Sequence, residues 1–431
     1  MIAPLLLAVV SHGFVAPVTP PRPAIDLPPF DAYLARPEPK NSFKVTASTT
    51  TRDEIELTSQ TWQGIDWKHQ ILLQKTANPV AKGVGVLFIT GDGPRPGDYR
   101  DLALVAGATQ LPVAILFNIP NQPIYGMKED DLIAHTFEQY LATGDATWPL
   151  LFPMAKSAIK AMDAVVAATR GTDNPITKFV VTGASKRGWT TWLVGASRDP
   201  RVIGIAPMVI DTLDMPTQMK HQIDTWGDYS VQIQDYTRRG LQKNLADSGP
   251  KSLSSLVDPF VYRNRIRIPV LMVNGANDPY WVTDATSQYW NRLGMPKSLV
   301  SVPNAGHDLG NKVTAVETIG AFAKARAVNR PFPRLDVAWD FSDKAHTKGV
   351  IKVRARDGVP ASVNVWTVSA DNKDFRPEKW EKSEGPTAGE RFEFRVDGSS
   401  MKNRAIFLEA RYSTGIGGFS LTTPPLIFSK S

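Results

Sequence analysis

Three side chains, far apart along the chain, have the types and the order that nucleophilic acyl chemistry needs. Ser185 lies in "FVVTGASKRGWTTW" (179–192), Asp278 in "NGANDPYW" (274–281) and His307 in "PNAGHDLG" (303–310). A serine hydroxyl attacks a carbonyl only when an imidazole takes its proton, and the imidazole needs a carboxylate to fix its tautomer. An apolar run precedes Ser185 and a helix-like run follows it, so the serine falls on a strand-to-helix turn that can expose its hydroxyl. The pattern usual at such a turn is G-x-S-x-G. Here Gly183 is in place, Arg187 stands where the second glycine belongs, and Gly188 follows one residue late. The competing reading makes Ser185 the N-cap of the following helix. Of the six histidines, His12, His69, His135, His221, His307 and His346, His307 alone falls in a loop after a late strand. Asp211, with Asp214 close behind it, follows an earlier strand and competes with Asp278 as the acid.

The residues around these three have expected roles as well. The backbone N–H of Lys186 should form half of an oxyanion hole, with the ammonium adding positive charge; the bland alternative points that lysine to solvent. The other half should come from Gly91 or Asp92 in "ITGDGPRPGD" (89–98), which is not a phosphate loop because no G-K-[ST] follows. Trp226, Tyr229 and Tyr236, in an insertion spanning 211–265, are expected with Trp281 to line a substrate pocket. Arg238 or Arg239 could meet an acidic group. The alternative is that the aromatics only pack the insertion. Glu129–Asp131 is the one acidic knot and reads as a helix start, favoured by the helix dipole. No metal cluster and no cofactor motif is evident, so none is expected.

The elements that would position these residues follow from periodicity. "FKVTAS", "EIELTSQTW" and "WKHQILLQK" alternate as antiparallel strands do. "GVGVLFITG" and "PVAILFNIP" are continuous apolar runs, typical of a sheet covered on both faces. Helical spacing follows in "DLIAHTFEQYL" and "PMAKSAIKAMDAVVAATR". Strands "KFVVTG", "VIGIAPMVI", "IPVLMVNG" and "SLVSVP" then alternate with helices "KRGWTTWLVGAS", "TDATSQYWNRL" and "KVTAVETIGAFAKARA". An antiparallel opening followed by parallel β-α units predicts an α/β-hydrolase-like, doubly wound sheet over 43–330, with 211–265 as a lid. In that fold the acid and the histidine follow successive late strands, as Asp278 and His307 do. After Pro331 helical patterns vanish and short strands remain, which predicts an all-β sandwich over 331–431.

Composition sets outer limits. The 431 residues carry 42% apolar and 21% charged side chains and a net charge of +7, scattered rather than clustered. No nucleic-acid motif is present, so a nucleic-acid partner is not expected. The absence of cysteine excludes disulfides, thiolate metal sites and a cysteine nucleophile. Residues 1–16 carry an apolar run, Ile2 to Val10, too short to span a bilayer. They read as an export signal, although no Lys or Arg precedes the run, and residues 17–42 read as a proline-rich extended lead-in. A periplasmic or secreted protein without a transmembrane segment is expected.

The stretches "SQTWQGIDWKHQ", "NQPIYG", "VTGASKRGWTTWL", "DPYWVTDA", "PNAGH" and "DNKDFRPEKW" resemble the PhoPQ-activated pathogenicity-related family. The resemblance runs from Phe43 to the C-terminus. It implies an α/β-hydrolase-like domain, export and a triad-like set at Ser185, Asp278 and His307, and it leaves the substrate open. Asn372–Lys373–Asp374 departs from the family's arginine-bearing form of the last stretch. The elbow with its basic Lys186 also resembles that of glucuronoyl esterases. The expected activity is serine hydrolysis through an acyl-enzyme, on a carboxylic ester, with small-molecule, carbohydrate-linked or peptide substrates. The rival expectation is a non-catalytic regulatory protein on the same fold, with the β region making cell-surface contact.

Overall fold

The computed structural model describes residues 28–398 and 400–430. The expected export signal lies outside the described residues. Strands β1 (Ser42–Ser48), β2 (Arg52–Trp62) and β3 (Ile65–Gln74) form the antiparallel opening. The sheet continues through β4 (Val84–Ile89), β5 (Val113–Leu116), β6 (Lys178–Ala184), β7 (Val202–Met208), β8 (Val270–Gly275) and β9 (Lys297–Val302). Its nine strands lie in the order β1-β2-β3-β5-β4-β6-β7-β8-β9. From β5 onward all neighbours are parallel. The apolar runs are explained by helices on both faces: Phe179, Val180 and Val181 of β6 are all fully buried. This is the α/β-hydrolase arrangement, and it brings the ends of β6, β7, β8 and β9 to one edge.

Helices α1 (Pro29–Ala35), α2 (Pro96–Thr109), α3 (Glu129–Thr143), α4 (Leu151–Thr169), α5 (Lys186–Ala196) and α6 (Met215–Trp226) follow in chain order. Two of them differ from the sequence expectation. The lead-in is not extended throughout, because α1 buries Phe30 and Tyr33 against Phe152 of α4. Helix α2 rises from the proline-glycine stretch, where Pro96 suits a first helical turn and Asp98 accepts the Arg95 N–H at 2.6 Å. The run 283–293 is helical only over Ala285–Tyr289, then tightens to a 3₁₀ turn at Trp290–Arg292. The insertion is α6 followed by short helical turns up to Arg265.

The C-terminal region is all-β. Strands β10 (Arg334–Phe341), β11 (Gly349–Arg356) and β14 (Arg391–Val396) form one antiparallel sheet. Strands β12 (Ser362–Ala370), β13 (Glu381–Glu384), β15 (Asn403–Thr414), β16 (Gly417–Thr422) and β17 (Leu426–Phe428) form the other. Val337, Ile351 and Phe392 of the first pack with Val363, Leu408 and Leu421 of the second as a sandwich core. That core is continuous with the parallel sheet. Phe332 lies between Phe322 and Phe419, with ring centroids 5.3 and 4.9 Å away. Thr422 Oγ1 accepts the Ser301 N–H of β9 at 3.0 Å. Among the described residues no helix is long and apolar enough to cross a membrane.

A polar thread runs under the opening strands. His69 Nδ1 donates to the Asn118 carbonyl at 3.0 Å, and its Nε2 accepts from Ser59 Oγ at 2.9 Å. Burial pushes the imidazole down to about 4, outweighing its contacts with the Phe117 and Asn118 carbonyls. It is therefore neutral in the fold and protonated in the unfolded chain below about pH 6.5. Its contribution is lost as pH falls from 6.5 towards 4. Between pH 7 and pH 5 this costs roughly 2 kcal/mol of stability. Urea unfolding at both pH values should show that much less pH dependence in His69→Asn; equal dependence in the two proteins refutes the assignment.

Candidate active site

Ser185, Asp278 and His307 each follow a strand end on one edge of the sheet. Ser185 follows β6 with φ 59° and ψ −128°, a conformation costly for a residue with a side chain. Ser185 does occupy the N-cap position of α5, but its hydroxyl makes no capping hydrogen bond. The turn is held by the main chain instead: Ser185 N–H donates to the Met208 carbonyl and Trp189 N–H to the Ser185 carbonyl, both at 2.9 Å. Two glycines make this sharpness possible. A Cβ on Gly183 would sit 2.7 Å from the Arg187 carbonyl oxygen, and one on Gly188 would sit 2.6 Å from that of Met208. The displaced glycine thus keeps α5 tight against β7, as the missing one would have done.

Arg187 has its own reason to be where it is. Its guanidinium forms a two-pronged pair with Glu129, both contacts at 2.7 Å, and Nε donates to the Ile119 carbonyl at 2.6 Å. The side chain lies flat on Gly91, where a Cβ would be 2.4 Å from the guanidinium. Gly91 thus leaves room for the Arg187 guanidinium, which would otherwise have to shift away. The Asp92 carboxylate is occupied by Gln122 Nε2 at 2.8 Å and Lys128 Nζ at 3.1 Å, which leaves only its backbone for the expected oxyanion role.

Lys186 corrects both sequence readings of its side chain. It is buried rather than solvent-exposed. Its ammonium is not free to face developing charge, because it pairs with Glu129 at 2.7 Å and Asp130 at 3.0 Å. The acidic knot is accordingly more than a helix start. Partial burial pushes the Glu129 carboxyl up, but Arg187 and Lys186 outweigh it and hold the group far below the usual range.

Asp278 and His307, the expected acid and base, meet. His307 Nδ1 lies 2.8 Å from Asp278 Oδ2, and the other carboxylate oxygen accepts the Tyr280 N–H at 3.0 Å. Since the carboxylate can only accept, Nδ1 carries the proton and Nε2 keeps its lone pair. Nε2 is shielded from solvent and has no hydrogen-bond partner. The Tyr280 ring stacks on the imidazole, centroids 4.2 Å apart. The two loops are zipped together by backbone: Ala276 N–H donates to the Val302 carbonyl at 2.9 Å, and Asn277 N–H to that of Ala305 at 3.0 Å. Only glycine fits at 275, since a Cβ there would lie 2.2 Å from the Gly306 carbonyl oxygen. Burial, followed by the charges of Asp130, Asp278, Asp235 and Glu129, pushes the Tyr280 hydroxyl up to about 12. The start of α3 and the acid loop thus share one neighbourhood.

Asp211 does not partner His307. It accepts from Thr286 Oγ1 at 2.6 Å and Tyr289 Oη at 2.5 Å, and burial pushes its carboxyl up to about 6. Asp214 pairs with Arg292 at 2.5 Å.

The expected pocket walls are largely spoken for. Tyr236 is buried and donates to Asp130 at 2.9 Å, and Tyr229 is half-buried against the main core. Trp226 packs towards the β region beneath the Arg376 guanidinium, 3.8 Å from its ring centre. Trp281 lines, with Asp211 and Asp278, a closed cavity of ≈10 Å³, about the size of one water. Arg238 pairs with Asp131 at 2.6 Å, and Arg239 with Asp131 and Glu138, so neither is free for an acidic ligand. The sequence reading missed Tyr280, which could have been noticed as the aromatic two residues after Asp278, and it took Glu129 only as part of a helix start, since nothing local signals its pairing with Lys186 and Arg187. Among the described residues no cluster that could hold a metal ion is found.

Autocrine proliferation repressor protein A of Dictyostelium discoideum is 33% identical over 433 residues, covering 89% of this chain and 86% of that protein. Among solved structures, the acetyl xylan esterase from Paenibacillus sp. aligns with a TM-score of 0.46 at 13% identity, over 69% of this chain and 92% of that one. Acetyl Xylan Esterase 1 from Thermoanaerobacterium sp. aligns with a TM-score of 0.44 at 14% identity, over 69% and 93%. A family model described as PhoPQ-activated pathogenicity-related protein matches residues 31–376, a span that contains the elbow, the acid loop and the histidine loop. The chain belongs to the PhoPQ-activated pathogenicity-related protein family.

Proposed function

We propose that the protein is an exported serine hydrolase that cleaves a carboxylic ester through an acyl-enzyme. The observation that carries this reading is the Asp278-bound imidazole of His307, whose Nε2 is dry and unpartnered. In the first step Ser185 Oγ bonds to the ester carbonyl carbon and its proton passes to Nε2. The carbonyl oxygen takes the negative charge and is met by the Lys186 N–H and a backbone N–H at Gly91 or Asp92. Collapse breaks the bond to the leaving oxygen, which receives the proton from Nε2. Water then repeats the sequence in reverse: it loses a proton to Nε2, attacks the acyl carbon and releases Ser185. The lid between β7 and β8, which carries the half-buried Tyr229, supplies specificity for small-molecule, carbohydrate-linked or peptide acyl groups.

A second reading is favoured by one observation, the 33% identity to a protein named as a proliferation repressor. On it the chain is a secreted regulator that keeps the hydrolase frame, and the β region makes the contact. A fluorophosphonate separates the two. The hydrolase is labelled on Ser185 and turns over a panel of aryl and acetyl esters, with both lost in Ser185→Ala. A folded protein that stays unlabelled, with its biological effect intact in Ser185→Ala, overturns the enzyme reading.

A further inference from the structure

One segment of the β region, 374–380, contacts the Asp278 loop, the His307 loop and helix α6. Asn277, the residue before the acid, donates its amide to the carbonyl of Glu378 at 2.8 Å, with Phe375 and Arg376 carbonyls at 3.2 and 3.3 Å. Asn304, three residues before the histidine, makes a closed pair with the Trp380 backbone. Its Oδ1 accepts the Trp380 N–H at 2.7 Å, and its Nδ2 donates to the Trp380 carbonyl at 3.0 Å. The segment itself is anchored: Phe375 and Trp380 are buried, the latter against Phe407 of β15 at 4.8 Å between ring centres. Asp374 grips Arg376 with both oxygens, at 2.7 and 2.6 Å, and so holds the guanidinium over Trp226 of the lid helix.

These contacts form a bracket. The loops after β8 and β9 are joined to each other by backbone, and both are joined to a third body through asparagine side chains. Asn277 is half-buried and Asn304 is exposed, so what these amides supply is not burial but a directed link between two loops and one backbone segment. On the serine-hydrolase reading the bracket fixes the loop that carries the imidazole, and a displacement of about 1 Å there can cost roughly 100-fold in rate. We propose that the β region is a structural part of the active site, and that Asn277 and Asn304 are the positioning residues through which segment 374–380 sets the His307–Asp278 pair. This rests on the proposed serine-hydrolase reading and assigns the β region a role in the chemistry rather than in outside contact.

The test is the inactivation of the full chain by a fluorophosphonate, resolved into a binding constant KI and a maximal rate kinact and expressed per mole of folded protein by near-UV circular dichroism. Asn277→Ala and Asn304→Ala should lower kinact by about 10-fold to 100-fold while KI stays within about twofold. Loss of stability alone lowers the folded fraction and leaves both constants untouched. If Asn304→Ala does not fold, Asn304→Ser keeps a short polar group and answers the same question. Folded variants with wild-type kinact, or with a change in KI only, overturn the positioning role. A wild-type protein that is itself unlabelled removes the hydrolase reading and this one together, an outcome distinct from labelled wild type with unaffected variants.

Discussion

Asp278→Asn should lower ester turnover by about 10⁴-fold without unfolding the protein. The reason is a hydrogen-bond polarity that asparagine cannot satisfy. Asp278 accepts twice, from the Tyr280 N–H and from His307 Nδ1. An asparagine must turn its amide oxygen to the Tyr280 N–H, because the amide nitrogen there would set donor against donor. The NH₂ group is then left facing Nδ1 and donates to it. The imidazole proton moves to Nε2, the atom that has to accept from Ser185, and the base is lost although every atom is in place. Asp211→Asn is the contrasting experiment. That carboxyl bonds Thr286 and Tyr289, not the histidine, so turnover should change by less than about tenfold, a change within what a distant packing adjustment produces. Measuring kcat for both variants on one ester decides between the acids. Loss of the larger factor in Asp211→Asn, with Asp278→Asn near wild type, refutes the assignment.

That choice between two aspartates was already visible in the chain, and it shows what kind of information a sequence carries. Ser185, Asp278 and His307 are legible because each stands just after an apolar run, and strand order then fixes the edge on which they fall. Gly188 is legible for the same local reason, as a glycine one residue displaced in an otherwise regular turn. The missed elements lack a periodic signal. Strand β13, "EKSE", is exposed along its whole length, so no alternation marks it. Helix α1 is hidden among prolines and is stabilised by what it packs against, Phe152 and Tyr262, far along the chain. The roles of Glu129, Asn277 and Asn304 are of the same kind. Each depends on a partner 58 to 101 residues away, and nothing in the neighbouring residues announces it. The expected pocket residues illustrate the converse error. Aromatics and arginines in a lid suggest ligand contacts by type, but Tyr236, Arg238 and Arg239 find protein partners first because α3 presents Asp130, Asp131 and Glu138 to them.

Glu129→Ala should be strongly disruptive although it touches none of the three proposed catalytic groups. Glu129 joins the residue after Ser185, Lys186, to the residue after that, Arg187, and it also accepts from Gln122 Nε2 at 2.6 Å. Its own side chain is 40% exposed, but the cations are not: those of Lys186 and Arg187 are 9% and 11% exposed. Removing the carboxylate therefore leaves two buried positive charges short of a counter-ion. Lys186 retains Asp130, and Arg187 retains only the Ile119 carbonyl. Breaking a buried pair by removing one partner costs ~3–5 kcal/mol; with Glu129 half-exposed the lower end, about 3 kcal/mol, is expected. Urea unfolding at neutral pH measures it. Because the folded carboxyl is held below its unfolded value, the contribution is present above the unfolded value and fades as pH falls through the lower folded one, so the gap between wild type and variant should narrow in acid. Activity should fall as well, since the guanidinium no longer braces the helix start that carries the Lys186 N–H. Glu129→Gln keeps one acceptor for Arg187 and should recover part of the stability. A Glu129→Ala protein as stable as wild type would mean that the two cations find water or another carboxylate, and the bracing of the serine turn would have to be sought elsewhere.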